Sequence, residues 1–291
     1  MIPRRSFFSF GCIPLMSGTQ SSPRDRLSFI TDEVASTPSG AIRFAAQFGL
    51  RFVELRNVPG TKRGYWDLSE SEQTAALREL RDHGLSVSFI DSPLLACPMP
   101  GTEPVRKPGP QEAARFTNRM ADLHRILSLA ERASCRRIRC FSFRRIADPL
   151  ALFPRIAGLI EPMAEIASRQ GVQLLLENEA SCNVHTGAEI AAMAKVLPPT
   201  VAFNWDPGNA SSLERAFPDA YRLLPISRIA NVQIKGKSLL PPGDGTDWPA
   251  LFQALADDGY QGHYGLETHT PNRVADSPPA LERLLRLLSA A

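Results

Sequence analysis

From Leu27 onward, short apolar runs alternate with longer amphipathic ones, eight times over. The early runs are Leu27-Ser28-Phe29-Ile30, Phe52-Val53-Glu54-Leu55, Ser86-Val87-Ser88-Phe89-Ile90 and Arg137-Ile138-Arg139-Cys140-Phe141. Short stretches so rich in Val, Ile, Leu and Phe are the pattern of strands buried on both faces. The stretches between and after the runs place apolar residues at helical spacing. They predict helices near 40–48, 69–83, 111–133, 150–169, 187–196, 211–224, 248–258 and 277–288. Ser69-Glu70-Ser71-Glu72 opens the second of these as a capping box, in which Ser and Glu satisfy each other's backbone N–H groups. Gly49, Gly84, Gly171 and Gly259 fall just before the next strand, where a helix needs a left-handed residue to stop. Eight βα units without a break in composition predict the α/β class and a single (β/α)8 TIM barrel. An open doubly wound sheet is the alternative, but no Gly-x-Gly-x-x-Gly follows the first strand.

Four runs in the second half each end in one oxygen-bearing residue: Val-Gln-Leu-Leu-Leu-Glu177, Val-Ala-Phe-Asn-Trp-Asp206, Ile-Ala-Asn-Val-Gln233 and Tyr-Gly-Leu-Glu267. Their spacings of 29, 27 and 34 residues each accommodate a strand, a helix and two short loops. In a barrel the C-terminal strand ends form the active face. A carboxylate there is costly unless something positive meets it. Three carboxylates and an amide from neighbouring strands make an all-oxygen cage for a hard divalent cation, so Glu177, Asp206, Gln233 and Glu267 are the expected metal ligands. For each Glu taken alone, a strand-end salt bridge or helix cap is the simpler reading; the repetition favours the metal.

At 291 residues the chain suits one such barrel, which commonly takes about 250 residues. Its net charge of +3, with scattered basic residues, argues against nucleic acid or a membrane surface as partner. No stretch is apolar for the ~18 residues that a membrane span needs. Five cysteines without Cys-x-x-Cys spacing give neither a disulfide framework nor a zinc ribbon, and read as small buried hydrophobes. Residues 1–24 stand apart from residues 25–291. Arg4-Arg5-Ser6-Phe7-Phe8, a weakly apolar stretch to Met16 and a polar linker to Pro23 look like a twin-arginine export signal, which would make the protein periplasmic. The alternative is a disordered leader on a cytoplasmic enzyme.

The residues around the strand ends also carry a family resemblance. Leu176-Glu177-Asn178, Phe203-Asn204-Trp205-Asp206-Pro207-Gly208-Asn209, Val232-Gln233-Ile234-Lys235 and Gly265-Leu266-Glu267 resemble the metal-site motifs of the xylose isomerase-like barrels. That superfamily holds sugar-phosphate isomerases and epimerases, inosose dehydratases, hydroxypyruvate isomerases and a DNA-repair endonuclease branch. Many members have His at the third metal position; this chain has Gln233, as hydroxypyruvate isomerase-like members do. The resemblance implies a 1,2-proton shift or epimerisation next to a carbonyl, assisted by Mn²⁺ or Mg²⁺, on a small carbohydrate. A cation on the carbonyl acidifies the neighbouring C–H, and Glu177 and Glu267 are the expected proton carriers. Loss of a hydroxide on the same scaffold, a dehydratase, is the alternative. The nuclease branch needs a His-rich metal cluster, and this chain has five His in all. Whether it assembles into a homo-oligomer stays open.

Other candidates are secondary. His185, Lys235, Arg56 and Arg144 are placed to reach substrate, Lys235 alternatively to hold Glu267. Glu54 is expected as a buried partner of Arg56 or Lys235, while Glu33 and Asp91 stay ambiguous. Trp66, Trp205 and Trp248 are core packing or sugar-stacking walls, with core preferred for Trp205. Cys182 lacks the adjacent basic group that a nucleophile needs. The loop at 93–110 holds six prolines and is expected to cover the mouth.

Overall fold

Each apolar run folds as a strand in the computed structural model, which describes residues 22–109 and 112–289. The strands are β1 (Leu27–Phe29), β2 (Phe52–Leu55), β3 (Ser86–Leu94), β4 (Arg137–Cys140), β5 (Gln173–Glu177), β6 (Ala202–Trp205), β7 (Ile229–Lys235) and β8 (His263–Glu267). All pair in parallel, in the order β1-β8-β7-β6-β5-β4-β3-β2. A single parallel bridge between Ile30 and Glu54 joins β1 to β2 and closes the ring. The expected eight-stranded barrel is formed. The proposed leader lies, through residue 21, outside the described residues.

Most helices form where their periodicity places them. The Ser69 box is made in both directions ahead of the helix Glu70–Asp82, with Ser69 N donating to Glu72 Oε2 at 2.7 Å and Glu72 N to Ser69 Oγ at 3.3 Å. Gly49 ends the helix Pro38–Phe48 at φ 65°, a conformation only glycine enters without strain. The exception is 211–224. There the chain makes a five-residue π turn, Ala216–Ala220, and a 3-10 turn, Tyr221–Leu223, instead of an α-helix. Pro218 has no N–H to give, and Phe217 before it is extended at φ −132°. The last helix, Arg273–Leu288, starts earlier than its prolines suggested; Pro278 and Pro279 lie inside its first turns.

Alternation along the strands sorts the interior. Leu27, Phe29, Val53, Leu55, Leu174, Leu176, Phe203, Trp205, Val232, Ile234 and Leu266 belong to one large core with helix residues such as Ile42, Leu77, Leu123, Ile160 and Leu284. Trp205 and Trp248 are core, as expected for Trp205. Phe89, Leu175 and Ala202 form a separate small cluster. Each lies two residues before Asp91, Glu177 or Asn204, so both members of each pair face the barrel axis, one layer apart. The barrel is therefore apolar at its floor and polar above it. Four cysteines (Cys97, Cys135, Cys140 and Cys182) are buried and free, as small hydrophobes.

Candidate active site

The polar interior begins with Glu54 on β2. Its Oε1 accepts from Ser28 Oγ (2.7 Å) and its Oε2 from Gln233 Nε2 (3.1 Å). Gly265 on β8 makes room for it: a Cβ there would lie 2.2 Å from Glu54 Oε1. The expected pairing of Glu54 with Arg56 or Lys235 is not made, because those side chains stand nearer the mouth and meet other acids. Gln233 is fully committed. Its Oε1 accepts from Asn231 Nδ2 (3.2 Å) and Asn204 Nδ2 (3.3 Å) while its nitrogen serves Glu54.

Asn204 passes the network on to Glu177, donating from Nδ2 to Oε2 at 2.6 Å. Arg139 Nη1 meets the same oxygen at 3.1 Å and lies 3.3 Å from Asp91 Oδ1. The Arg139 guanidinium also donates to the backbone oxygens of Ser92 (3.2 Å) and Asp91 (2.9 Å), which fixes its plane. Neither Asp91 oxygen has an aligned hydrogen-bond donor, although the side chain is wholly buried. Arg139 was missed in the sequence. Its signal was an arginine inside a four-residue buried strand, a position that must face the barrel axis with its charge matched.

At the mouth, Lys235 Nζ sits 2.8 Å from Glu267 Oε2 and 2.9 Å from Asp206 Oδ2. Arg56 Nη1 takes Glu267 Oε1 at 2.9 Å, and the same guanidinium binds Asp32 (3.0 Å) and Glu33. His269 Nδ1 approaches Glu267 Oε1 at 3.4 Å. Asp206 caps the turn Pro207–Asn209 through Asn209 N (3.0 Å), and Asn178 locks the ends of β5 and β6 by accepting from Asp206 N at 2.8 Å. The Asn-x-Asp-Pro-Gly-Asn motif thus sets the direction of the Asp206 carboxylate. The His185 and Arg144 side chains are engaged in contacts between loops and helix ends, His185 beside the Asp206 strand end. His185 Nε2 pairs with Asn209 O (2.9 Å), and Arg144 joins Glu112 (2.7 Å) to Ser181 (2.8 Å), stapling loops together.

Seven buried acids (Asp32, Glu33, Glu54, Asp91, Glu177, Asp206, Glu267) thus face three cations, Arg56, Arg139 and Lys235. Protons relieve part of the imbalance. Burial, reinforced by Glu54, pushes the Asp91 carboxyl well above its ordinary range. Burial likewise raises Glu54, and it raises Asp206 despite Lys235. Glu177 is pushed up to about 7 by burial, against the pull of Arg139. Glu267 goes the other way: burial opposes its charge, but Lys235, His269 and Arg56 together hold it well below the usual range. Two carboxyls of one site are driven apart, which is how an acid and a base are distinguished.

The expected metal cage is not assembled from these side chains. A divalent cation needs oxygen lone pairs about 2.0–2.6 Å away and turned toward it. Gln233 has none to spare, one Glu177 oxygen, Oε2, is bonded to Arg139 and Asn204, and the Lys235 ammonium, hydrogen-bonded to Glu267, stands 2.9 Å from an Asp206 oxygen on which no donor is aligned. Among the described residues no three His, Cys, Asp or Glu side chains are grouped so that they could hold a metal ion. As arranged, the residues do not fit the ion.

A cavity of about 430 Å³ opens beside this site, bordered by Arg56, Asn57, Trp66, Asp91, Arg115 and Arg139. Its size is that of a small-molecule site. Trp66 is thus a wall of this cavity. Among the described residues, no helix is long and apolar enough to cross a membrane.

The chain matches the xylose isomerase-like TIM barrel family over residues 42–291 and belongs to it. No functionally curated protein matches the sequence. Among solved structures, it is similar to a xylose isomerase-like TIM barrel protein from Mycobacterium smegmatis in complex with magnesium: TM-score 0.68 at 17% identity, covering 93% of this chain and 99% of that one. A D-psicose 3-epimerase in the presence of D-fructose gives TM-score 0.67 at 18% identity, over 91% and 97% of the two chains. The probable 3-DHS dehydratase AsbF from Bacillus anthracis gives 0.65 at 15%, over 90% and 98%. At such identities the likeness is one of fold.

Proposed function

We propose that this chain is a carbohydrate isomerase or epimerase that moves a proton at a carbon next to a carbonyl. The observation that carries the reading is Glu177, a carboxyl at the end of β5 whose pKa of about 7 suits both taking and returning a proton near neutrality. As the C–H bond breaks, its electron pair forms the C=C bond of an enediolate and charge moves onto the carbonyl oxygen. Arg139 and Arg56, at the cavity wall, are the cations positioned to stabilise that charge. Return of the proton to the neighbouring carbon, with the hydroxyl proton passing to the former carbonyl oxygen, completes isomerisation; delivery of a proton to the opposite face of the same carbon completes epimerisation. Glu267, three strands further round the barrel and held ionised, is the carboxylate available to take the proton from the second face, with Glu177 in its protonated form giving one back. The psicose epimerase among the structural neighbours supports a sugar as substrate.

Dehydration is the second reading, and Asp91 favours it. A carboxyl held neutral by burial at the cavity wall can protonate a leaving hydroxide. One experiment separates the two. A panel of ketoses and aldoses is incubated with the protein in deuterated water and followed by NMR. Deuterium next to the carbonyl supports the isomerase; an unsaturated product formed by loss of water, without exchange in any sugar, replaces it with the dehydratase.

A further inference from the structure

The place where this barrel would concentrate positive charge is taken by a side chain. Lys235 is 3% exposed and its Nζ lies within hydrogen-bonding distance of two strand-end acids, Glu267 at 2.8 Å and Asp206 at 2.9 Å. The strand-end acid of β5 has its own cation in Arg139. The β7 amide is turned down and away: Gln233 donates to Glu54, which can lie there only because residue 265 is glycine. Four oxygens that would need to share one ion are instead divided between Lys235, Arg139, Arg56 and an amide network.

We infer that Lys235 replaces a divalent cation, and that the chain does its chemistry without a tightly bound metal. The inference rests on the site described above, not on the reaction proposed for it. An ammonium and a divalent ion cannot share the space between Asp206 and Glu267, since they repel each other and compete for the same lone pairs. One Lys235 N–H donates to Glu267 Oε2, while Asp206 Oδ2 lies 2.9 Å from the ammonium with no donor aligned on it. Together with Arg56 and Arg139 the ammonium supplies localised positive charge from fixed side chains, the electrostatic part of what a Lewis acid does. No electron transfer or co-reactant is involved.

Metal binding can be read without any substrate. The full chain is purified from manganese-supplemented medium and its metal content measured by plasma mass spectrometry. Free Mn²⁺ is then titrated by electron paramagnetic resonance, where binding removes the aqueous signal. The wild-type protein is expected to carry far less than one ion per chain. Lys235→Met keeps the length of the side chain but frees Asp206 and Glu267, and should bind Mn²⁺ about tenfold more tightly or better. Circular dichroism checks its fold, and Lys235→Ala serves if Met does not fold. Stoichiometric metal in the wild type would overturn the inference. So would a folded Lys235→Met chain that binds no more tightly than wild type. If no sugar exchanges deuterium while the wild type stays metal-poor and Lys235→Met binds Mn²⁺ more tightly, the reaction reading fails and the Lys235 assignment stands.

Discussion

Replacing Glu177 with Gln should make the protein more stable, by an amount that grows from about pH 4.5 and is complete above about 7. In the folded chain Glu177 keeps its proton up to about 7, whereas an unfolded glutamate loses it near 4.5. Between those values the folded state binds more protons than the unfolded state, so Glu177 makes stability fall as pH rises through this window. Below 4.5 its neutral form carries no penalty; above about 7 the penalty is complete. The step from 4.5 to about 7 is worth about 3 kcal/mol. A glutamine mimics the neutral acid at every pH and still accepts from Arg139 and Asn204. Glu177→Gln should therefore match the wild type at pH 4.5 and exceed it by about 3 kcal/mol at pH 8.5, roughly 6–12 °C in Tm for a chain of this size. Asp91, Glu54 and Asp206 add their own pH dependence to both proteins and cancel in the difference. Thermal and urea unfolding at the two pH values, followed by circular dichroism, give the answer. A difference that does not change with pH would refute the claim that burial outweighs Arg139 at Glu177.

Arg139→Met removes the cation shared by Asp91 and Glu177 and should cost about 3–5 kcal/mol in unfolding measurements, with Arg139→Lys recovering only part because lysine cannot reach both acids and two backbone oxygens at once. Gly265→Ala puts a Cβ 2.2 Å from Glu54 Oε1 and should destabilise by roughly 2–3 kcal/mol; a loss under about 0.5 kcal/mol would mean that Glu54 moves freely. Trp66→Ala strips one wall from the cavity and should raise KM for whichever sugar reacts while leaving kcat nearly intact. If residues 1–24 are an export signal, fusing them to a periplasmic reporter should direct it across the inner membrane, and Arg4→Lys with Arg5→Lys should stop it.

Much of the barrel was readable because strands buried on both faces are dense in Val, Ile, Leu and Phe and return at regular spacing. Strand ends also named Glu177, Asp206, Gln233 and Glu267, since position along a strand decides which way a side chain faces. It does not decide whom the side chain meets. The partner across a barrel depends on tilt and stagger, which arise only on closure. That is why Lys235 was seen as a holder of Glu267 but not as the occupant of the gap beside Asp206. It is also why Glu54 was paired with the wrong residues. Arg139 escaped notice because a lone arginine among apolar neighbours looks the same in sequence whether it snorkels to the rim or is sealed inside. The lost helix at 211–224 had apolar residues at helical spacing, but Pro218 outweighed them through a missing N–H.

Phe89, Leu175 and Ala202 at the barrel floor make a cluster of three beside a far larger outer core. The apolar cohesion of the molecule consequently lies mostly between its strands and its helices, while the axis above the floor is held by hydrogen bonds and ion pairs. Residues on the axis can then be exchanged, one hydrogen-bonding pattern for another, with the outer shell bearing the load. Such an interior is free to drift in chemistry while the architecture stands still. In native-state hydrogen exchange the same division should be visible as uniformly slow amides on all eight strands, whichever variant of the axial network is present.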